Sequence, residues 1–239
     1  MNAIDRIWVA VDVSNPVEAD MLIYSMIEVG IRRFKFGLEL LSVSGRDILL
    51  SKIANIYNGL EIFWDGKFHD IPNTVGKAAK VVADRGVAIF NIHASCGRKS
   101  MEAAVANKGQ SKVLAVTLLT SLGVEDLHDF GYPSSVNKDV IVQAMASCAL
   151  ECKVDGIICS AQEAVLVRSV MSKGIIMTPA IRPLWAAVGD QKRPTTPSDA
   201  LRAGATDLVI GRPITNPPPE IGSSEEAVKR IVEEIESVL

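Results

Sequence analysis

Leu60-Glu61-Ile62-Phe63-Trp64-Asp65-Gly66-Lys67-Phe68-His69-Asp70-Ile71-Pro72-Asn73-Thr74 holds the change of pattern on which the reading of this chain turns. It opens as an apolar, strand-like run, Leu60 to Trp64, and then takes on three charges at Asp65, Lys67 and Asp70. Residues two apart on a strand project to the same side, so Asp65 and Lys67 point together at the strand's carboxyl end. Asp70 lies just past the strand. Pro72 and Thr74 then introduce a helix over roughly Thr74 to Arg85. A lone Asp-x-Lys reads as a surface salt bridge, which is common and worth little. The longer Asp-x-Lys-x-x-Asp-Ile-Pro-x-Thr is far rarer, and a carboxylate and an ammonium side by side at a strand's end suggest charge chemistry.

The same strand-then-helix unit recurs in both directions. Upstream, Ile7–Val13 is a β-branched run, followed by a helix from Ser14 and Pro16 to Val29, where Gly30 stops it. Arg33–Gly37 is the second strand, with a helix expected over Gly45–Tyr57. Downstream, strands are expected at Val87–His93, Lys112–Leu118, Gly156–Cys159, Gly174–Thr178 and Asp207–Gly211. Helices are expected around Met101–Ala106, Asp139–Glu151, Ala161–Met171, Ser198–Ala203 and Ser224–Val238. Two long connections interrupt the rhythm, Leu122–Lys138 and Pro179–Pro197. Eight units of about thirty residues match a (β/α)8 TIM barrel of α/β class, one domain over residues 1–239. A doubly wound sheet would carry a glycine fingerprint after its first strand, but that strand ends in Asp12 with no G-x-G-x-x-G.

Composition narrows the function. The 239 residues are 48% hydrophobic and 22% charged with a net charge of −3, enough chain for a large core and without the basic excess of a nucleic-acid binder. A small anionic ligand remains compatible, because a site can be locally positive on an acidic protein. Cys96, Cys148, Cys152 and Cys159 lack zinc spacing and read as reduced and mostly buried. The first residues lack a signal-peptide core and no run approaches membrane-spanning length, so a cytoplasmic enzyme is expected, with no membrane partner.

In a barrel the active site gathers at the carboxyl ends of the strands. The polar residues there are Asp12, Lys35, Asp65 with Lys67, His93, Thr120, Arg182, and Gly211 with Arg212. Gly211-Arg212 after strand eight fits a phosphate: the glycine lets backbone N–H groups approach an anion and the arginine forks onto its oxygens. The loop after strand seven is long, carries Gly and Pro punctuation, and holds Arg182 and Gln191, which is lid character.

These motifs together resemble the orotidine 5′-monophosphate decarboxylase family over essentially the whole chain. Asp12, Lys35, Asp-Gly-Lys-Phe-His-Asp-Ile-Pro-Asn-Thr at 65–74, Thr120, Thr-Pro-Ala-Ile-Arg-Pro from Thr178, Gly-Asp-Gln ending at Gln191, and Ile-Gly-Arg-Pro-Ile from Ile210 follow in the expected order. The resemblance implies decarboxylation of orotidine 5′-monophosphate to UMP, without metal, flavin or pyridoxal. It implies that Lys67 protonates C6 as carbon dioxide leaves and that Asp65 lies near the departing carboxylate. Lys35 and Asp70 complete a Lys-Asp-Lys-Asp chain. Asp70, Ile71 and Thr74 are implied to reach into the partner's site of a homodimer. Asp12 and Lys35 are implied to hold ribose hydroxyls, Thr120 to position the ligand, Arg182, Gly211 and Arg212 to grip phosphate, and Gln191 to bridge from the lid.

Two other readings use the same residues. A magnesium-dependent decarboxylase or aldolase of keto-sugar phosphates shares Asp-x-Lys-x-x-Asp, but its second strand should supply an acid where this chain has Lys35, and a cation there repels magnesium. A catalytically silent phosphate-binding barrel is the other, and an intact Lys67 argues against it.

Overall fold

The computed structural model describes residues 2–43, 59–186 and 195–239. Eight parallel strands close into a barrel in chain order: β1 (Ile7–Val11), β2 (Arg33–Phe36), β3 (Glu61–Phe68), β4 (Ile89–His93), β5 (Lys112–Val116), β6 (Gly156–Ile158), β7 (Ile175–Thr178) and β8 (Asp207–Ile210). The fold is the (β/α)8 barrel that the alternation of units predicts. Among the described residues its α-helices are α1 (Pro16–Glu28), α2 (Leu38–Leu41), α3 (Pro72–Ala83), α4 (Arg98–Ala106), α5 (Val124–Asp129), α6 (Lys138–Glu151), α7 (Ala164–Val170), α8 (Pro197–Arg202), α9 (Arg212–Thr215) and α10 (Ser224–Glu236). The helix expected over Gly45–Tyr57 falls outside the described residues.

Alternation along each strand sorts the apolar residues into two clusters. Trp8, Ala10, Phe63, Ile89, Leu114 and Met177 belong to the smaller cluster, which fills the barrel. The residues between them, such as Val9, Phe34, Ile62, Phe90 and Val113, join the larger one beneath the helices. Strand register agrees with this sorting: Trp8 pairs with Val209 and Phe63 with Ile89, each an inside-to-inside match. Gly156 on β6 is required by close approach, since a Cβ there would lie 2.3 Å from the Ile175 carbonyl oxygen. At the amino end Trp8 Nε1 donates to Asp207 Oδ1 at 2.8 Å. Arg33 lies 5.3 Å from the Trp8 ring centre and pairs with Glu61 at 3.1 Å. The far end of the barrel is thereby plugged.

Several boundaries differ from the sequence reading. β3 runs on to Phe68 instead of ending near Trp64, with its pairing to β4 slipping between Trp64 and Phe68. α3 starts at Pro72, because proline's fixed φ and missing N–H suit a first helical turn. The connection Leu122–Lys138 contains α5, whose first turn is tied by the Gly123 N–H to Asp126 Oδ2 at 2.6 Å and whose Leu127 is buried. Ala161–Met171 divides into a 3-10 turn, Ala161–Glu163, followed by α7. The one-turn helices α2 and α9 follow β2 and β8 directly. All four cysteines are free thiols, Cys152 and Cys159 buried and Cys96 and Cys148 half-buried. Burial pushes the Cys96 thiol up to about 11. Among the described residues no helix is long and apolar enough to cross a membrane.

Candidate active site

The inward-facing rows of β1 to β4 turn polar one step above the apolar plug. Asp12 comes two residues after Ala10, Asp65 two after Phe63, and Asn91 two after Ile89, while Lys35 on β2 is paired in register with Ala10 and Phe63. Lys35 Nζ lies 2.6 Å from Asp12 Oδ1 and 3.6 Å from Asp65 Oδ2. Lys67 Nζ donates to Asp65 Oδ1 at 2.7 Å, and Asn91 Nδ2 donates to the same oxygen at 2.7 Å. The result is a chain of alternating charge, Asp12, Lys35, Asp65, Lys67. The side chains of Lys35 and Asp65 are 9% and 12% exposed and that of Lys67 is 30% exposed. A carboxylate so deeply placed is tolerable because two ammonium groups and an amide compensate it.

The backbone at Lys67 is unusual. Its φ is 47°, the left-handed region, which costs a non-glycine residue about 1–3 kcal/mol. The pairing with β4 shifts register between Trp64 and Phe68, around this residue, and an irregularity of that kind re-aims a side chain. The Lys67 N–H is taken by Asn91 Oδ1 at 2.7 Å. Ala180, just past β7, also has a positive φ, 65°. Both residues line the same cavity.

That cavity, of about 570 Å³, opens at the carboxyl ends of the strands. Asp12, Lys35, Asp65 and Lys67 form one side of its lining, and Thr120, Arg182, Gly211 and Arg212 also line it. Arg182 is buried, its Nη1 donating to the Ile181 carbonyl at 2.8 Å. The base of the loop after β7 is closed by the Ile181–Thr195 bridge and the Arg182 N–H to the Thr195 carbonyl at 2.9 Å. Gly211 lets the end of β8 settle against β1, where a Cβ would stand 3.4 Å from that of Ala10. Eight of the residues expected at the site are therefore together in one cavity. Gln191 lies outside the described residues.

Four expected residues are elsewhere. Asp70, Ile71 and Thr74 are exposed and do not line the cavity of their own chain. Asp70 Oδ1 accepts the Ile71 N–H at 2.6 Å and its carbonyl accepts the Ser100 Oγ hydrogen at 2.8 Å. His93 stands beside the cavity against His69, ring centres 5.5 Å apart, and His69 Nε2 is 3.3 Å from Ser95 Oγ. Burial, then the nearby His69 and Lys67 charges, lower the His93 pKa from 6.5, against an opposing pull from Asp65. Asn91 and Glu39 line the cavity without having been singled out from the sequence. Asn91 offers only a faint signal, a neutral amide in step with Ile89 in a strand that ends at His93. Glu39 sits on the one-turn α2, which has no pattern long enough to read.

A closed barrel with its charged groups gathered at the carboxyl ends of its strands has the layout of a barrel enzyme. Residues 5–227 match the orotidine 5′-phosphate decarboxylase / HUMPS family. The chain belongs to that family. It is 43% identical to an orotidine 5′-phosphate decarboxylase of Heliobacterium modesticaldum, covering 98% of this chain and 97% of the relative. It is 40% identical to one from Hahella chejuensis, with 98% of each covered. The crystal structure of orotidine 5′-phosphate decarboxylase from Lactobacillus acidophilus superposes with a TM-score of 0.78 at 27% identity, over 97% of this chain and 99% of that one. These relatives are carboxy-lyases by name.

Proposed function

We propose that this chain is the carboxy-lyase that converts orotidine 5′-monophosphate to UMP in pyrimidine biosynthesis, with Lys67 stabilising and protonating the carbanion at C6 and with no cofactor. The observation that carries the reading is the Lys67 ammonium, fixed 2.7 Å from Asp65 at the wall of a cavity that Arg182 and Arg212 also line. When the bond from C6 to the carboxylate breaks, carbon dioxide leaves and the electron pair stays on C6. No neighbouring carbonyl takes that charge by resonance. A preorganised ammonium stabilises it electrostatically, then gives its proton to C6 and recovers one from water.

The remaining residues have roles in the same step. Asp65 lies near the departing carboxylate and holds Lys67 in place. Asp12 and Lys35, paired at 2.6 Å, hold ribose hydroxyls. Arg182, Gly211 and Arg212 grip the phosphate, and Thr120 orients the ligand. Binding energy from the phosphate, remote from C6, goes into assembling the site. Lys35 occupies the inward position on β2 between two carboxylates, which favours a metal-free reaction over a magnesium-dependent one. We further propose a cytoplasmic homodimer of chains that each act as one domain over residues 1–239. In it Asp70, Ile71 and Thr74 serve the partner's cavity, a reading supported by their exposure and their absence from the lining of their own chain's cavity.

The test is the loss of orotidine 5′-monophosphate absorbance on adding the protein, before and after dialysis against EDTA. Equal loss in both samples is expected. No loss, or loss abolished by EDTA and restored by magnesium, contradicts the proposal.

A further inference from the structure

Asn91 has the surroundings of a core residue and the bonding of a site residue. It is 1% exposed on β4, between the buried Phe90 and Ile92 and paired in register with Leu114. An amide in such a place is costly unless both of its ends are bonded. Both are, and both partners belong to the charged chain. Asn91 Oδ1 accepts the backbone N–H of Lys67 at 2.7 Å, and Asn91 Nδ2 donates to Asp65 Oδ1 at 2.7 Å. This network fixes which way the amide faces: the N–H of Lys67 needs an acceptor and the carboxylate needs a donor. A residue needed only for packing at this level of the barrel would be met by leucine, which fills a similar volume.

We infer that Asn91 is a positioning residue for the reaction, acting through Asp65 and Lys67. Its oxygen stabilises the left-handed backbone of Lys67, φ 47°, and so sets where the ammonium emerges from the irregular stretch of β3. Its nitrogen fixes the plane of the Asp65 carboxylate, so that Oδ1 serves Lys67 while Oδ2 faces Lys35 at 3.6 Å. No smaller or purely apolar side chain meets both needs at once. Asp would keep the acceptor but replace the donor with a second carboxylate against Asp65. Asn91 bonds to Lys67 and Asp65 and not to Arg182 or Arg212, so the grip on the phosphate is expected to survive its loss.

The inference rests on the decarboxylase reading, and its test separates the two. Steady-state decarboxylation of orotidine 5′-monophosphate is measured for the wild type and for Asn91→Leu, together with UMP affinity by calorimetry. The expected result is a kcat lowered about 10²-fold, the cost of a misplaced reacting group, with UMP affinity and KM within about threefold of wild type. If Asn91→Leu does not fold, Asn91→Ser, whose hydroxyl is too short to bridge both partners, is expected to show the same split. Asn91→Asp is expected to lose kcat as well, although it retains an acceptor for the Lys67 N–H. A folded Leu or Ser variant with near wild-type kcat overturns the inference and leaves the decarboxylase reading standing. So does a parallel fall in kcat and UMP affinity, which marks general damage. A wild type that does not decarboxylate the substrate overturns both.

Discussion

Lys67 joins two kinds of cost in one residue. Its ammonium is partly withdrawn from water beside Asp65, and its backbone sits where L-residues rarely go. A single hydrogen bond, worth about 0.5–1.5 kcal/mol net, offsets much of a backbone strain of about 1–3 kcal/mol. Asn91 supplies that bond. Asp65 and Lys67 were legible in the sequence because charges at alternate positions interrupt an apolar strand. Asn91 was not, because a neutral amide in an apolar run gives no such break and its two bonds exist only once β3 and β4 are paired. His93, in step with Asn91 on the same strand, leads to a prediction about pH. Burial and the His69 and Lys67 charges lower its pKa in the folded protein below the ordinary 6.5. Well above its ordinary value of 6.5 it is neutral in both states. Below that, the unfolded chain takes up a proton that the folded one resists, so stability falls with pH until the folded pKa is passed. Urea midpoints are expected to drop between about pH 7 and about pH 5, and His93→Gln should remove part of that slope. An unchanged slope in the variant would contradict this assignment.

At the scale of elements, the alternation of strand-like apolar stretches with helical segments was enough to read the barrel, since every strand carries β-branched or aromatic residues. The boundaries near the site were harder. β3 continues through its charges because Asn91 and the resumed Phe68–Ile92 pairing hold it to β4, and neither is a local property of its sequence. α2 and α9 are single turns, shorter than any window in which a 3.6-residue period shows. The junction between β2 and α2 nevertheless presses directly on the charged chain. A Cβ on Gly37 would lie 2.7 Å from both Asp12 Oδ1 and Lys35 Nζ, at the centre of their ion pair. Gly37→Ala is expected to separate that pair and lower kcat/KM about 10²-fold while the circular dichroism spectrum stays that of the wild type. Wild-type kcat/KM in Gly37→Ala would mean that the Asp12–Lys35 pair can shift without consequence.

At the scale of the whole molecule, one apolar cluster fills the barrel, a second lies beneath the helices, and the charged chain crowns the first. The sequence motif runs on past this crown to Asp70, Ile71 and Thr74, which leave the cavity and face outward at the start of α3. A two-fold interface would place them in a second copy's cavity and build two equivalent sites. On that proposal, mixing inactive Lys67→Ala and inactive Asp70→Ala proteins under subunit exchange restores activity, because one site of the mixed dimer carries both lesions and the other neither. Up to about half of the dimers formed at random would hold one intact site. Exchange confirmed by mass spectrometry with no return of activity would show that Asp70 does not act in trans. The central claim concerns Lys67 itself, and the most direct measurement is the decarboxylation rate of Lys67→Ala against wild type, with folding checked by circular dichroism and UMP binding. The account predicts a folded, UMP-binding protein whose turnover is lower by about 10³-fold or more, since the variant lacks both the cation and the proton donor. A folded variant with near wild-type turnover would contradict it.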